Sequence, residues 1–118
     1  MSKYPLIAVR VVLSPDTLLG SGKADLLEGI AETGSIAAAS RRMGMSYKRA
    51  WYLIDTLNGY FRAPLVASVK GGRAGGGAVL TDTGREVLEL YRRVQRTATK
   101  ATHADLRALA ALAGSKPA

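Results

Sequence analysis

Residues 35–58, SIAAASRRMGMSYKRAWYLIDTLN, spell two short helices joined by a tight turn. Ser35 is a good N-cap for the first, over Ile36 to Met43, because its hydroxyl can accept from a free N–H of the opening turn. The inner positions of that helix, Ala37, Ala38, Ala39 and Ser40, are small and let another backbone come close. Gly44 ends it, as a residue free to adopt positive φ. Ser46 caps the second helix, where Ala50, Leu53, Ile54, Leu57 and Phe61 recur at helical spacing as one apolar stripe. The opposite side carries Lys48, Tyr52 and Asp55, with Arg49 and Thr56 at one margin and Tyr47 and Trp51 at the other. A helix supported from behind, cationic and aromatic in front, fits the second element of a helix-turn-helix. An ordinary packed helix pair needs similar small and apolar residues; the basic outer face favours DNA binding.

Downstream, Pro64 stops the helix, and Leu65 to Lys70 alternates loosely as a strand. Gly71 to Gly77 reads as a loop with Arg73 at its centre, and Ala78-Val79-Leu80 as the returning strand. A phosphate-binding P-loop would need a Lys-Ser or Lys-Thr after the glycines and then a helix; neither follows. A glycine-tipped hairpin directly after a helix-turn-helix is a wing, with Lys70 and Arg73 placed for phosphate or the minor groove.

Upstream, Leu6 to Leu13 is rich in β-branched residues and predicts a strand, with Pro15-Asp16 as a turn and Thr17 to Leu19 as a short return. A helix opening at Ser21 or Gly22 carries Leu26, Leu27, Ile30 and Ala31 inward and ends at Gly34. Asp25 and Glu28 in its early turns suit the positive end of the helix dipole. At the other end, Thr81 caps a single long helix over Asp82 to Leu112. Val87, Tyr91, Val94, Ala98, Ala101, Asp105, Ala108 and Leu112 follow a heptad seam, broken at Asp105. At 1.5 Å per residue such a helix is about 45 Å long, more than so small a domain covers, and the excess argues for a second copy of the chain. Val87 and Leu88 belong to the domain core instead.

Composition narrows the function classes. The chain has 118 residues and no Cys, which excludes a disulfide framework, a Cys-based zinc site and thiolate catalysis. With His103 as the single histidine, a histidine-rich metal site or a Ser-His-Asp triad is hard to build, and an enzyme is not expected. No cofactor is implied. The apolar run at Leu6 to Leu13 is too short for a bilayer and makes no signal peptide, so the expectation is a soluble cytoplasmic protein with no membrane role. The formal charge is +8, and six of those charges lie between Arg41 and Arg73, where Asp55 is the lone acid. A basic cytoplasmic protein most often meets nucleic acid.

Gly34-Ser35-Ile36, Ser46-Tyr47-Lys48-Arg49-Ala50-Trp51, Pro64-Leu65-Val66 and the run from Gly71 to Thr81 together resemble the N-terminal DNA-binding domain of ModE-type molybdate-responsive regulators, within the LysR-like winged-helix group. Leu19-Gly20, Leu26-Leu27 and Ile30 extend the likeness, which covers residues 19–95. Ser40 departs from it, standing where that family usually has alanine. Full-length members bind the oxyanion in C-terminal domains that do not follow the long helix here, so molybdate is not an expected ligand.

The expected fold is mainly α with small β: an N-terminal β segment at 1–20, a winged helix-turn-helix at 21–81, a long C-terminal dimerisation helix at 82–113 and a disordered tail at 114–118. The expected function is sequence-specific binding of double-stranded DNA by a homodimeric transcription regulator, on an inverted-repeat operator. Helix 46–60 enters the major groove, and Ser46 with the helix N-terminus holds a phosphate. Tyr47, Lys48, Arg49 and Tyr52 are the candidate base-edge and near-phosphate contacts; Ser35, Arg41 and Arg42 touch flanking phosphates; Lys70 and Arg73 hold the wing-side backbone. Trp51 is a packing residue. Tyr91, Val94, Ala98, Ala101, Ala108 and Leu112 form the dimer seam. The alternatives are a winged-helix protein-interaction module or a non-specific DNA-binding protein; an oxyanion sensor would need converging donors that the sequence does not gather.

Overall fold

The computed structural model describes residues 4–70 and 77–114. Two antiparallel strands open the chain, β1 (Val11–Ser14) and β2 (Thr17–Leu19). Three helices follow, α1 (Ser21–Thr33), α2 (Ile36–Arg42) and α3 (Tyr47–Tyr60). A hairpin of β3 (Val66–Val69) and β4 (Gly77–Leu80) leads into α4 (Asp82–Ala101) and α5 (His103–Ala113).

The turns are made by the residues whose chemistry demands them. Ser35 and Ser46 accept from the backbone N–H groups of Ala38 and Arg49, and Thr81 from that of Gly84. Gly34 and Gly44 sit at φ of 71° and 68°, the left-handed region that a Cβ disfavours. Between these stops, α1 buries Leu26, Leu27 and Ile30; α2 buries Ile36 and Ala39; α3 buries Ala50, Ile54 and Leu57. Small residues at the α1–α2 crossing permit close approach: a Cβ on Gly29 would lie 3.1 Å from that of Ala39. Ser40 is buried nearby and returns its hydroxyl to the Ala37 carbonyl, so it occupies an alanine-sized place without an orphan donor.

The wing is tied to the helices by polar contacts. Asn58 of α3 accepts from the N–H groups of Leu65 (2.8 Å) and Val66 (3.2 Å) and donates to the Val66 carbonyl. β3 and β4 pair in register from Val66 with Leu80 to Val69 with Gly77. The Ala78 N–H donates to the Gly34 carbonyl at 3.0 Å, which fixes β4 at the end of α1. α4 begins against the start of β3: a Cβ on Gly84 would fall 2.1 Å from the Leu65 carbonyl oxygen.

Several expectations need correction. The first strand spans Val11–Ser14, not Leu6 to Leu13. Ala31 is exposed, and Ala24 takes the buried place on α1. Asp25 and Glu28 serve α4 rather than the α1 dipole: both bind Arg92, at 2.8 and 3.0 Å. Burial opposes the Arg92 charge, but the hydrogen bonds and charges of these two carboxylates outweigh it and hold its pKa above the ordinary value. The single long helix is two, broken at Thr102 with φ −103° and ψ 3°. The Thr102 hydroxyl donates to the Ala98 carbonyl at 2.6 Å, a back-bond that bends helices.

Tyr91 is the largest correction. It was expected on the dimer seam but is 2% exposed, with its hydroxyl donating to the Val9 carbonyl at 2.6 Å. Burial pushes its phenol pKa up, against the lowering effect of Arg92. Tyr91 therefore clamps the N-terminal segment onto α4 within one protomer and is not available to a second. Val87 and Leu88 are half-buried against the same core, as expected. The tail at 115–118 lies outside the described residues.

Candidate nucleic-acid interface

α3 has one buried and one open side. Ala50, Ile54 and Leu57 face the core, and Leu53 and Phe61 pack partly against it. The open side begins in the first turn with Tyr47, Lys48 and Arg49, all exposed, and continues to Tyr52, which is 63% exposed. Trp51 lies between the two, half-buried against the core and edge-on to Tyr47 with ring centroids 6.3 Å apart. It props Tyr47 from the side, in keeping with a packing role. Asp55 lies two turns along, away from the cationic first turn.

The N-terminus of α3 projects from the turn at Gly44. Ser46 is exposed and spends an acceptor on the Arg49 N–H, leaving its O–H to donate outward. α2 packs across the back of this helix. Ser35 is half-buried at its start, and Arg41 and Arg42 are exposed in its last turn, where cations favour the helix dipole. Arg42 pairs with Glu32 of α1, both about half exposed. Such a surface pair contributes on the order of 1 kcal/mol or less, so a phosphate can replace the carboxylate. Lys70 is exposed just beyond β3 on the wing; Arg73, the expected wing-tip contact, lies outside the described residues.

The sequence reading missed Asn58, the residue that positions the wing strand against α3. Its signal was present: a polar side chain next to Leu57 and one turn after Ile54 of the apolar stripe, followed by a proline-ended loop that needs its N–H groups satisfied. Among the described residues, no group of three or more His, Asp or Glu could hold a metal ion, and no helix is long and apolar enough to cross a membrane.

Comparison with known proteins agrees with this geometry. Residues 23–85 match the model of the bacterial regulatory helix-turn-helix proteins of the lysR family. The chain is 39% identical over 102 residues to the molybdenum-pterin-binding protein MopA of Rhodobacter capsulatus, covering 86% of this chain and 38% of MopA. It is 45% identical over 87 residues to the molybdenum transport protein ModE of Azotobacter vinelandii, covering 70% of this chain and 32% of ModE. The chain thus spans about a third of the length of these curated relatives. Among solved structures, the crystal structure of the CbnR_DBD–DNA complex superposes with a TM-score of 0.58 at 26% identity, over 75% of this chain and 95% of that one. The expected ModE-type and LysR-like resemblance is borne out by these matches. With the family match spanning more than half of its residues, and with the capped helix pair and hairpin where that fold requires them, the chain belongs to the lysR family of bacterial regulatory helix-turn-helix proteins.

Proposed function

We propose that the chain reads an inverted-repeat operator in double-stranded DNA as a homodimer, with α3 in the major groove. The observation that carries this is the first turn of α3. Tyr47, Lys48 and Arg49 stand exposed on a helix whose back is locked into the core, so they reach base edges and near phosphates without disturbing that core. Ser46, Ser35, Arg41 and Arg42 hold flanking phosphates, Tyr52 reaches further along the groove, and Lys70 with Arg73 grips the wing-side backbone. The chain acts by binding, not by catalysis, and works in the cytoplasm. The molybdenum in the names of MopA and ModE belongs to proteins of which this chain matches about a third, and the function proposed here does not include it.

Selection of bound sequences from a random DNA pool tests the reading. A preferred site should emerge, and Lys48→Ala or Arg49→Ala should cost roughly 1–3 kcal/mol on it and relax the preference. Arg73→Ala should weaken all sequences more evenly, because a wing tip mostly touches backbone. No enriched sequence would leave a non-specific binder or a protein-interaction module. A change of base preference on Arg73→Ala but not on Lys48→Ala would exchange the roles of reader and clamp.

The dimer rests on α4 and α5. Val94 is 44% and Leu112 84% exposed, and Ala98, Ala101 and Ala108 recur with them at heptad spacing in the sequence. α5 buries no residue in its own protomer. A second copy laid against this line hides it, at roughly 25 cal/mol per Å² of apolar surface. Truncation after Gln95 keeps Tyr91 and Arg92 and should give a folded monomer. Its affinity for the full operator should fall roughly 10²–10⁴-fold, the loss of effective concentration when two linked modules become one. Sedimentation of the truncated chain as a dimer would move the interface elsewhere.

A further inference from the structure

A cleft of about 320 Å³ lies beside α3, between its opening turns, the β1–β2 hairpin and the start of α1. Three cations from three separate segments line it: Arg10 before β1, Lys23 in α1 and Arg49 in α3. Gly20 and Gly22 line it too, and a Cβ on either would meet nothing within 4 Å, so this part of the rim is open backbone.

The cleft cations belong to the unpaired set of the described residues, as do the exposed Arg41, Lys48 and Lys70. Arg42, Arg85, Arg92 and Arg93 each have a carboxylate partner. Among the described residues, no carboxylate comes within ion-pair distance of Arg10, Lys23 or Arg49. Lys23 is nevertheless held in place. Its ammonium donates to the Leu18 carbonyl at 3.1 Å and the Tyr60 hydroxyl at 3.3 Å, and lies 5.2 Å from the centre of the Tyr60 ring. These partners orient the cation without neutralising it. Like charges around an open hollow repel, and an anion between them turns that repulsion into attraction.

We infer that this cleft receives a backbone phosphate of the operator, beside the segment read by α3, and that the N-terminal hairpin thereby belongs to the DNA footprint. The inference rests on the reading of α3 given above and extends it to an element outside the family match, which begins at residue 23. Geometry supports a second grip. The wing is fixed to the C-terminal end of α1 through Gly34, while the cleft lies at its N-terminal end. A helix of 13 residues separates the two by about 20 Å, so they hold the duplex at two distinct places.

Arg10→Gln in the full chain tests this, because Arg10 is exposed and its loss leaves the core intact. The slope of log affinity against log salt should become shallower by about 0.9 per subunit. Base preference should stay as in the unmodified protein. Ethylation interference should lose the effect of one phosphate at the flank of each half-site, and Arg10→Lys should restore it. An unchanged slope and an unchanged ethylation pattern, in a protein that still binds its operator, overturn the inference and leave the α3 reading standing. An unmodified protein that binds no DNA overturns that reading, and this inference with it. Saturable binding of inorganic phosphate that Arg10→Gln removes, with the DNA slope unaltered, makes the cleft a free-anion site and also overturns the proposal.

Discussion

Binding of operator DNA is expected to weaken by roughly five orders of magnitude between 50 and 200 mM salt. The motive is the arrangement of charge rather than its sum. Arg41, Lys48, Arg49 and Lys70 are exposed on α2, α3 and the wing, and among the described residues none has a carboxylate within ion-pair distance. If about five cations per subunit meet phosphates, a dimer releases counterions from about ten sites, and the log–log slope approaches −9. Titration of a labelled operator at four or five salt concentrations measures it directly. A slope shallower than about −3 would mean that most of these side chains stay in water, and the extended phosphate footprint would be abandoned.

Gly84→Ala is expected to lower the melting temperature of the chain by roughly 10–20 °C, equivalent to about 3 kcal/mol in a domain of this size. The methyl group would lie 2.1 Å from the Leu65 carbonyl oxygen and 2.9 Å from its carbon. Both are backbone atoms already committed, since that same carbonyl accepts from the Thr81 N–H at 2.9 Å. No rotamer change relieves the clash, so α4 must lift from the wing strand. Gly59→Ala is the control. It lies within α3 with nothing within 4 Å of a Cβ, and should raise stability by roughly 0.5–1 kcal/mol through helix propensity. Thermal unfolding by circular dichroism compares the two. A Gly84→Ala protein melting within a few degrees of the unmodified chain would show that the α4–wing contact is soft.

What the sequence made legible was local. Ser35, Ser46 and Thr81 each cap a helix in the place expected, and Gly34 and Gly44 adopt the backbone angles that their positions call for. The α3 stripe was readable because apolar spacing is a property of one helix. Where partners lie far apart in sequence, the reading failed. Asp25 and Glu28 look like ordinary early-turn acids until Arg92 arrives from more than 60 residues away. Tyr91 fits a heptad position equally well whether the surface it meets belongs to a second chain or to its own, and only the Val9 carbonyl decides. The break at Thr102 was hidden because a heptad pattern continues across it, while the back-bond that interrupts the helix leaves no mark on periodicity. Arg10 and Lys23 escaped notice for the same reason as Arg92: they lie 13 residues apart, and folding brings them to one cleft with Arg49.

α5 makes no demand on the domain it hangs from. Leu109 and Leu112 are 61% and 84% exposed, and among the described residues the buried core side chains run from Leu19 to Tyr91. Selection for a folded monomer therefore leaves the identity of its residues free, apart from helix propensity. Any intolerance to substitution along α5 must record a neighbour outside the protomer. A saturation-mutagenesis library sorted once for soluble expression and once for repression or activation of a reporter would read that record. Positions silent in the first sort and sensitive in the second would trace, residue by residue, the outline of whatever the helix touches in the cell.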